Sequence, residues 1–412
     1  MGAVNAQEAM PRIIRRAIDA SLPEAAVRAA LAELPQESGR LIVIAVGKAA
    51  WRMANAARED LGPRVQGGVV ITKYGHSPGP IDGLRIFEAG HPVPDANSFS
   101  ATREAMNAVR GLSAEDQVLF LLSGGGSALF ESPLIEPDEL AGITRQLLAC
   151  GAEISEINAV RKRLSAVKGG KFARLCAPAR VFTVALSDVL GDAADVIASG
   201  PTCPDASTCA SARAIAEKYH LKISDRARAC LDQETPKALE NATITVTGSV
   251  RGLCAAAADA CAECGFAPIV LTASLDCEAR EAGSFLAAIA REHAGKGERR
   301  AFILGGETVV HLTGTGMGGR NQELAFSAAR GMENLPGVLL FSIGSDGTDG
   351  PTDAAGGWCD GATAQKLRRT GVSVDQALKD NDSYPALKRI GNLIITGPTG
   401  TNVNDLTVLL VE

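Results

Sequence analysis

The chain has 412 residues, of which 46% are apolar, 21% charged and only 4% aromatic, and its net charge is −6. That length exceeds one ordinary core and points to two globular domains. The acidic balance and the scarcity of aromatic side chains speak against nucleic acid or an anionic membrane surface as a partner, so an anionic substrate needs a local cationic site.

The N-terminal MGAVNAQEAMPRIIRRAIDA lacks an apolar stretch of signal-peptide length, and Ala6 stands where a myristoylated Met-Gly start carries Ser or Thr. No later stretch approaches a membrane span. The ten cysteines form no disulfide-like framework, so the expectation is a cytoplasmic protein with reduced thiols.

Residues 5–34 read as two helices, with Pro23 placed for a first helical turn. LIVIAV (41–46) is a strand of the buried type, followed by Gly47, Lys48 and a helix from Ala49 to about Leu61. Strands at 67–72 and 85–90 follow, then the turn HPVPD (91–95) and a helix over 97–111. His91 is read as a turn histidine, with a catalytic base as the bolder alternative. Val118–Leu122 is another buried strand, and it ends in Ser123, Gly124, Gly125, Gly126 and Ser127. Three glycines leave the backbone bare, so successive N–H groups can close on an anion at the strand end.

Helices are expected at 137–151 and 155–176, then a buried strand at 180–188. Asp188 stands at its end, with Asp192 and Asp195 beyond; these carboxylates accept a proton from a substrate hydroxyl, hold a hard cation, or cap a turn. The run Arg161, Lys162, Arg163, Lys168 and Lys171 is either a solvated face or a means of bringing Lys168 to phosphate. Alternation of strands and helices implies a largely parallel, doubly wound sheet. The polar stretch 232–243 is the best boundary, giving domains at 1–236 and 237–412.

The second half offers strands at 244–249, 268–273, 301–306, 338–344, 393–397 and 406–412. Gly314, Gly316 and Gly319 match a dinucleotide fingerprint in letter, but no acidic residue ends the next strand at ribose distance. The favoured reading is a glycine-rich loop that delivers Arg320 and Asn321 to a helix start, where a fork of donors suits carboxylate or phosphate. Asp346 and Asp349 lie among glycines after a buried strand, as Mg²⁺ ligands or as turn residues. Cys261 and Cys264 fall inside a helix without a second pair and are read as core residues. Neither GxxxxGK[ST] nor GxSxG occurs.

AVGKAA, LLSGGGSALFESP, NAVRKRLSAVKGGKFA, ALSDVLGD, ASGPT, GGETVVHLTGTGMGGRNQELAF, SDGTDGPTDAAG and ITGPTGTNVNDL together resemble, nearly end to end, the glycerate 2-kinase family with its C-terminal MOFRL domain. The resemblance implies two α/β domains, a larger Rossmann-like one and a smaller C-terminal one, with a cleft between them. It implies transfer of phosphate from ATP, with Mg²⁺ or another divalent cation, to the 2-hydroxyl of D-glycerate. The family's lysine maps to Lys48, its aspartate to Asp188 or nearby Asp192, and its arginine to Arg320. On this reading Ser123, Gly124, Gly125, Gly126, Ser127 and Lys168 hold phosphate or nucleotide. Lys48, Arg320 and Asn321 hold substrate, and Asp192, Asp346 and Asp349 hold metal. Hydroxypyruvate reduction with NAD(P)H is the alternative, and a non-catalytic nucleotide-binding module a third.

Overall fold

The computed structural model describes residues 4–35, 38–187 and 194–412. They form two compact units, Pro23–Thr247 and a second made of Met1–Leu22 with Gly248–Glu412.

The first unit is built on strands β1 (Leu41–Val46), β2 (Val65–Lys73), β3 (Leu84–Ala89), β4 (Gln117–Leu122), β5 (Arg180–Leu186) and β6 (Ala242–Thr247). All pair in parallel, in the order β3-β2-β1-β4-β5-β6. Every residue of β1 and β4 is buried, as a parallel sheet covered on both faces requires. Alternate side chains serve opposite cores. Ile44, Phe120 and Leu122 pack with Phe130 and Phe172, whereas Val43, Ala45 and Leu119 pack with Met53, Ala54 and Ala57.

That alternation positions the ligand edge. The helix after β1, Ala50–Leu61, lies over one face, and the short helix after β4, Gly126–Leu129, joins the core on the other. The loops of two neighbouring strands therefore diverge at their carboxyl ends, where open α/β sheets take their ligands.

The second unit has β7 (Ala267–Leu275), β8 (Arg300–Gly306), β9 (Val338–Gly344), β10 (Gly356–Asp360), β11 (Leu393–Ile394) and β12 (Asp405–Val411), in the order β11-β10-β9-β12-β8-β7. Only β7 and β8 pair in parallel; β12 runs antiparallel between β8 and β9, and β10 and β11 extend the antiparallel side. Asp405, the first residue of β12, sits opposite Gly306 and Gly344, the last residues of β8 and β9. Helices Ala279–His293 and Arg320–Gly331 cover one face, and Val250–Glu263 with Ala6–Ala20 the other.

Two of these facts move the domain boundary. Residues 242–247 extend the first sheet as β6, so the division falls after Thr247 rather than at 236/237. The N-terminal helix Ala6–Ala20 buries Ala9, Ile13 and Ala17 in the core that contains Leu253, Phe341 and Val408, and so belongs with the C-terminal part of the chain. Its apolar stripe announces an amphipathic helix, but a stripe does not say which core it covers. The helix expected over 155–176 is also broken: it stops at Leu164, resumes at Lys171, and Gly169 and Gly170 have positive φ between. Strand β10 is not among the strands expected from the sequence. Among the described residues no helix is long and apolar enough to cross a membrane.

Ile13 is fully buried. Ile13→Ala should lower unfolding stability by about 2–5 kcal/mol in a denaturant titration, whereas a helix merely appended to the fold would leave the midpoint unmoved.

Candidate active site

The loops after β1 and β4 are stitched together by backbone. Ser123 N–H donates to the Val46 carbonyl at 2.9 Å, and Lys48 N–H donates to the Gly124 carbonyl at 2.9 Å. The Ser123 hydroxyl accepts the Ala49 N–H at 3.1 Å and is buried. Ser123 thus caps the helix Ala50–Leu61 in place of an apolar N-cap residue, instead of presenting its hydroxyl to a ligand as expected. Gly124, Gly125 and Ser127 are half-open, and the Lys48 side chain is exposed beside them. Among the described residues no acceptor meets the N–H of Gly124 or Gly125. Gly125 is left-handed, with φ +88°, and a methyl group on it would lie 3.3 Å from the Lys48 Cγ. Its bare backbone is what lets the lysine stem pass close by.

The floor of the loop is a buried charge cluster. Lys168 is fully buried and donates to the carbonyls of Ser127 (2.9 Å) and Phe130 (3.0 Å), with the Glu131 carboxylate at 3.5 Å. Burial pushes its ammonium down to about 8, with Glu131 pulling the other way. Arg161 adds a second donor to the Ser127 carbonyl at 3.1 Å and lies 3.7 Å from Glu131. Lys168, expected to reach phosphate, is turned inward here, with two hydrogen bonds to the loop carbonyls and an ion pair with Glu131. The rest of the basic run also turns inward. Lys162 pairs with Asp195 and Asp205, Arg163 is held by Ser207 and Glu234, and Lys171 donates to the carbonyls of Arg163 and Ser165.

Opposite the loop, Ala198 and Ser199 both have positive φ, near +51° and +61°, a conformation L-residues adopt at a cost. The Ser199 hydroxyl donates to Asn158 Oδ1 at 2.8 Å and lies 3.5 Å from the Ser127 hydroxyl. Sequence reasoning missed Asn158, Glu131 and Ser199, since nothing in a helix-period pattern or a Gly-Pro turn marks them. Asp188 and Asp192 lie outside the described residues.

In the second unit Arg320 opens the helix Arg320–Gly331. Its guanidinium grips Asp405 in a bidentate pair, Nε to Oδ2 at 2.5 Å and Nη2 to Oδ1 at 2.9 Å, and its Nη1 lies 3.2 Å from Glu307. Burial alone would weaken the cation, but Asp405 and Glu307 outweigh it and raise its affinity for the proton. One edge remains open, the side chain being 34% exposed. Asp405 and Glu307 carried no signal in the sequence; only the meeting of β8, β9 and β12 brings them to Arg320.

Asn321 and Asp349 depart from the roles expected of them. Asp349 accepts the N–H groups of Asn321 (3.1 Å) and Gln322 (2.8 Å), so it caps the helix that Arg320 begins. A methyl group on Gly319 would lie 2.2 Å from the Asp349 Cγ, which is why glycine precedes Arg320. Asn321 is buried, and its side-chain oxygen accepts the Ser342 hydroxyl, so it faces the core rather than a substrate. Among the described residues no group of three or more His, Cys, Asp or Glu side chains is placed to hold a metal. Asp346 is half-buried and accepts the Thr348 N–H and hydroxyl through Oδ1, the Asx turn of the alternative reading.

The fingerprint glycines are occupied as well. The Gly314 N–H donates to Asn381 Oδ1 at 3.0 Å, and the Gly316 N–H to the Asp380 carbonyl at 2.8 Å. These donors hold the segment 380–382 and leave no cradle for a pyrophosphate.

Two predictions test these reassignments. Lys168→Met should cost about 3–5 kcal/mol of stability, because it strands a buried carboxylate, and Lys168→Met with Glu131→Gln should recover part of it in the same denaturant titration. A lysine that only reached phosphate would leave stability unchanged. Burial lifts the Asp349 carboxyl from 3.8 to about 6, against the pull of the two N–H groups. Its ionisation therefore opposes folding: the cost is absent below the unfolded value and complete above the folded one. Asp349→Asn, which cannot ionise, should gain thermal stability relative to the parent as pH rises from about 4 to about 7, read as a growing difference in Tm.

Comparison with known proteins bears on both units. A family model described as a domain of unknown function (DUF4147) matches residues 9–232, and the MOFRL family model matches 300–405. The D-glycerate 2-kinase of Thermotoga maritima is 54% identical over 97% of this chain and 97% of its own length. The glycerate 2-kinase of Pyrococcus horikoshii is 42% identical over 90% of this chain and 88% of its own. A crystal structure of glycerate kinase from Thermotoga maritima superposes with a TM-score of 0.95 at 52% identity, covering 98% of this chain and 99% of that one.

Proposed function

This chain belongs to the glycerate 2-kinase family, and we infer from that membership and from its own site that it transfers the terminal phosphoryl group of ATP to the 2-hydroxyl of D-glycerate, giving 2-phosphoglycerate and ADP. The observation that carries the reading beyond family likeness is the glycine loop at the switch point of the first sheet. It offers the free N–H groups of Gly124 and Gly125 and an exposed Lys48 on one edge.

Phosphoryl transfer asks the protein chiefly for positioning and for neutralising charge. The substrate hydroxyl oxygen forms the new bond to phosphorus, the bond to the ADP oxygen breaks, and the hydroxyl proton leaves. Lys48 and the loop amides supply positive potential in the first unit, and Arg320 supplies it in the second. Arg320 is held in place by Asp405 and Glu307, so its open edge is aimed before any substrate arrives. Asp188 keeps its proposed part of orienting or deprotonating the 2-hydroxyl.

Mg²⁺ or another divalent cation is proposed as the companion of the nucleotide phosphates, which reduce the number of protein ligands such an ion needs to one or two. Asp349 does not fit that task, with both carboxylate oxygens committed to its helix. Asp346 fits it through the oxygen that Thr348 leaves free, and Asp192 lies outside the described residues. A cytoplasmic location suits both substrates and the absence of disulfides among the described cysteines.

The NAD(P)H-dependent reductase reading loses its one motif, because the N–H groups of Gly314 and Gly316 are already bound. The direct test is purified protein with D-glycerate, ATP and Mg²⁺. ADP should appear together with 2-phosphoglycerate, and NADH should persist in the presence of hydroxypyruvate. NADH oxidation without ADP release would reverse the ranking.

Lys48→Met and Arg320→Met should each lower kcat by roughly 10²–10³, as deletion of one preorganised donor does. Their stabilities should part. Lys48 is exposed and its loss should leave Tm in place, whereas Arg320→Met strands the buried Asp405 and should lower it. Adding Asp405→Asn should restore part of that Tm and none of the kcat.

A further inference from the structure

His91 has no assigned part in the reaction, yet it stands at the glycine loop. It follows β3 by two residues and is half-buried. A methyl group on Gly125 would lie 3.1 Å from its Cδ2 and 3.2 Å from its Nε2, close to where the same methyl meets the Lys48 stem. The imidazole and Lys48 therefore flank the stretch whose N–H groups are free. No hydrogen bond engages the His91 ring among the described residues.

Among the described residues, the charges that act on it most strongly are all positive. Burial first, and then Lys48, Lys73 and His76, lower its affinity for a proton. The nearby carboxylates are committed elsewhere. Asp95 accepts the Tyr74 hydroxyl at 2.7 Å and caps the helix Ala96–Ala108. Glu88 accepts the N–H groups of Gly75 (3.0 Å) and Ser77 (3.1 Å). Among the described residues the corner thus gathers two lysines, two histidines and open backbone donors without a free counter-charge, which is the chemistry of a vacancy for an anion.

We propose that His91 is a substrate-contact residue: its ring hydrogen-bonds an anionic oxygen held at the Gly124–Gly125 loop, and it takes up a proton when that anion arrives. The inference rests on the kinase reading for the anion's origin, which is either the glycerate carboxylate or an ATP phosphate. Arrival of either replaces a wholly positive surrounding by a negative neighbour, which favours imidazolium.

The test is histidine-ring NMR on the full chain. The protein has five histidines, and the His91 signal is identified by its disappearance in His91→Gln, or in His91→Asn should the first variant fold poorly. In the parent, the pH at which this signal titrates should rise by about one unit with saturating D-glycerate or with saturating ATP, each added alone, and the ligand that moves it names the anion. His91→Gln should raise KM for that same substrate roughly tenfold, the worth of one charge-assisted hydrogen bond, with a smaller change in kcat. An unmoved titration with D-glycerate, ATP and inorganic phosphate would overturn the proposal. So would a variant that keeps both KM values. Failure of the kinase reading shows separately, as no ADP from the parent, and the phosphate titration still decides the part played by His91.

Discussion

The structure depends on one constraint, the opposite exits of β1 and β4. Two parallel neighbours whose following helices lie on different faces must part company at their carboxyl ends. The backbone there cannot be closed by the sheet, so it is closed by local bonds, Lys48 N–H to Gly124 and Ala49 N–H to the Ser123 hydroxyl. What those bonds do not consume, the amides of Gly124 and Gly125, becomes available to a ligand. The function proposed for this edge uses what is left after the fold's own hydrogen bonds are satisfied.

In each unit the protein uses buried charge as scaffold rather than as reagent. Lys168 and Arg161, both paired with Glu131, brace carbonyls at the short helix after β4, and Asp405 with Glu307 brace Arg320. Each ion costs several kcal/mol to desolvate, so such clusters add little net stability. They fix geometry instead. Phosphoryl transfer, which is catalysed by placement and field, gains from that rigidity.

The second unit solves a similar problem with different parts. An antiparallel strand, β12, inserted between β8 and β9, brings its first residue to the ends of both neighbours. Asp405 is thereby carried to Arg320 across 85 residues of chain. Asp349 reaches back to cap the same helix, and glycine stands at 319 because that carboxylate passes so near, while Gly318 makes room for Ser383.

By itself the sequence determined most of the elements and singled out the loop at the carboxyl edge of the first sheet. Continuous apolar runs such as LIVIAV and VLLFSIG became strands at the same residues, and the serine–glycine loop with Lys48 stood out because backbone chemistry is local and needs no knowledge of neighbours. The membership in a kinase family was legible for the same reason, through the motifs on those loops. Tertiary structure alone decided which polar side chains are internal braces. Lys168, Asn321 and Asp349 look in the sequence like ligands, and they became internal partners once Glu131, Ser342 and the amides of residues 321 and 322 were folded against them. It also decided that Ala6–Ala20 covers the distant core of Phe341 rather than the sheet it precedes. A charge or an apolar stripe states a need for a partner, and only the packing of remote strands says who that partner is, because the contact energies that choose among candidates arise between residues the chain order keeps far apart.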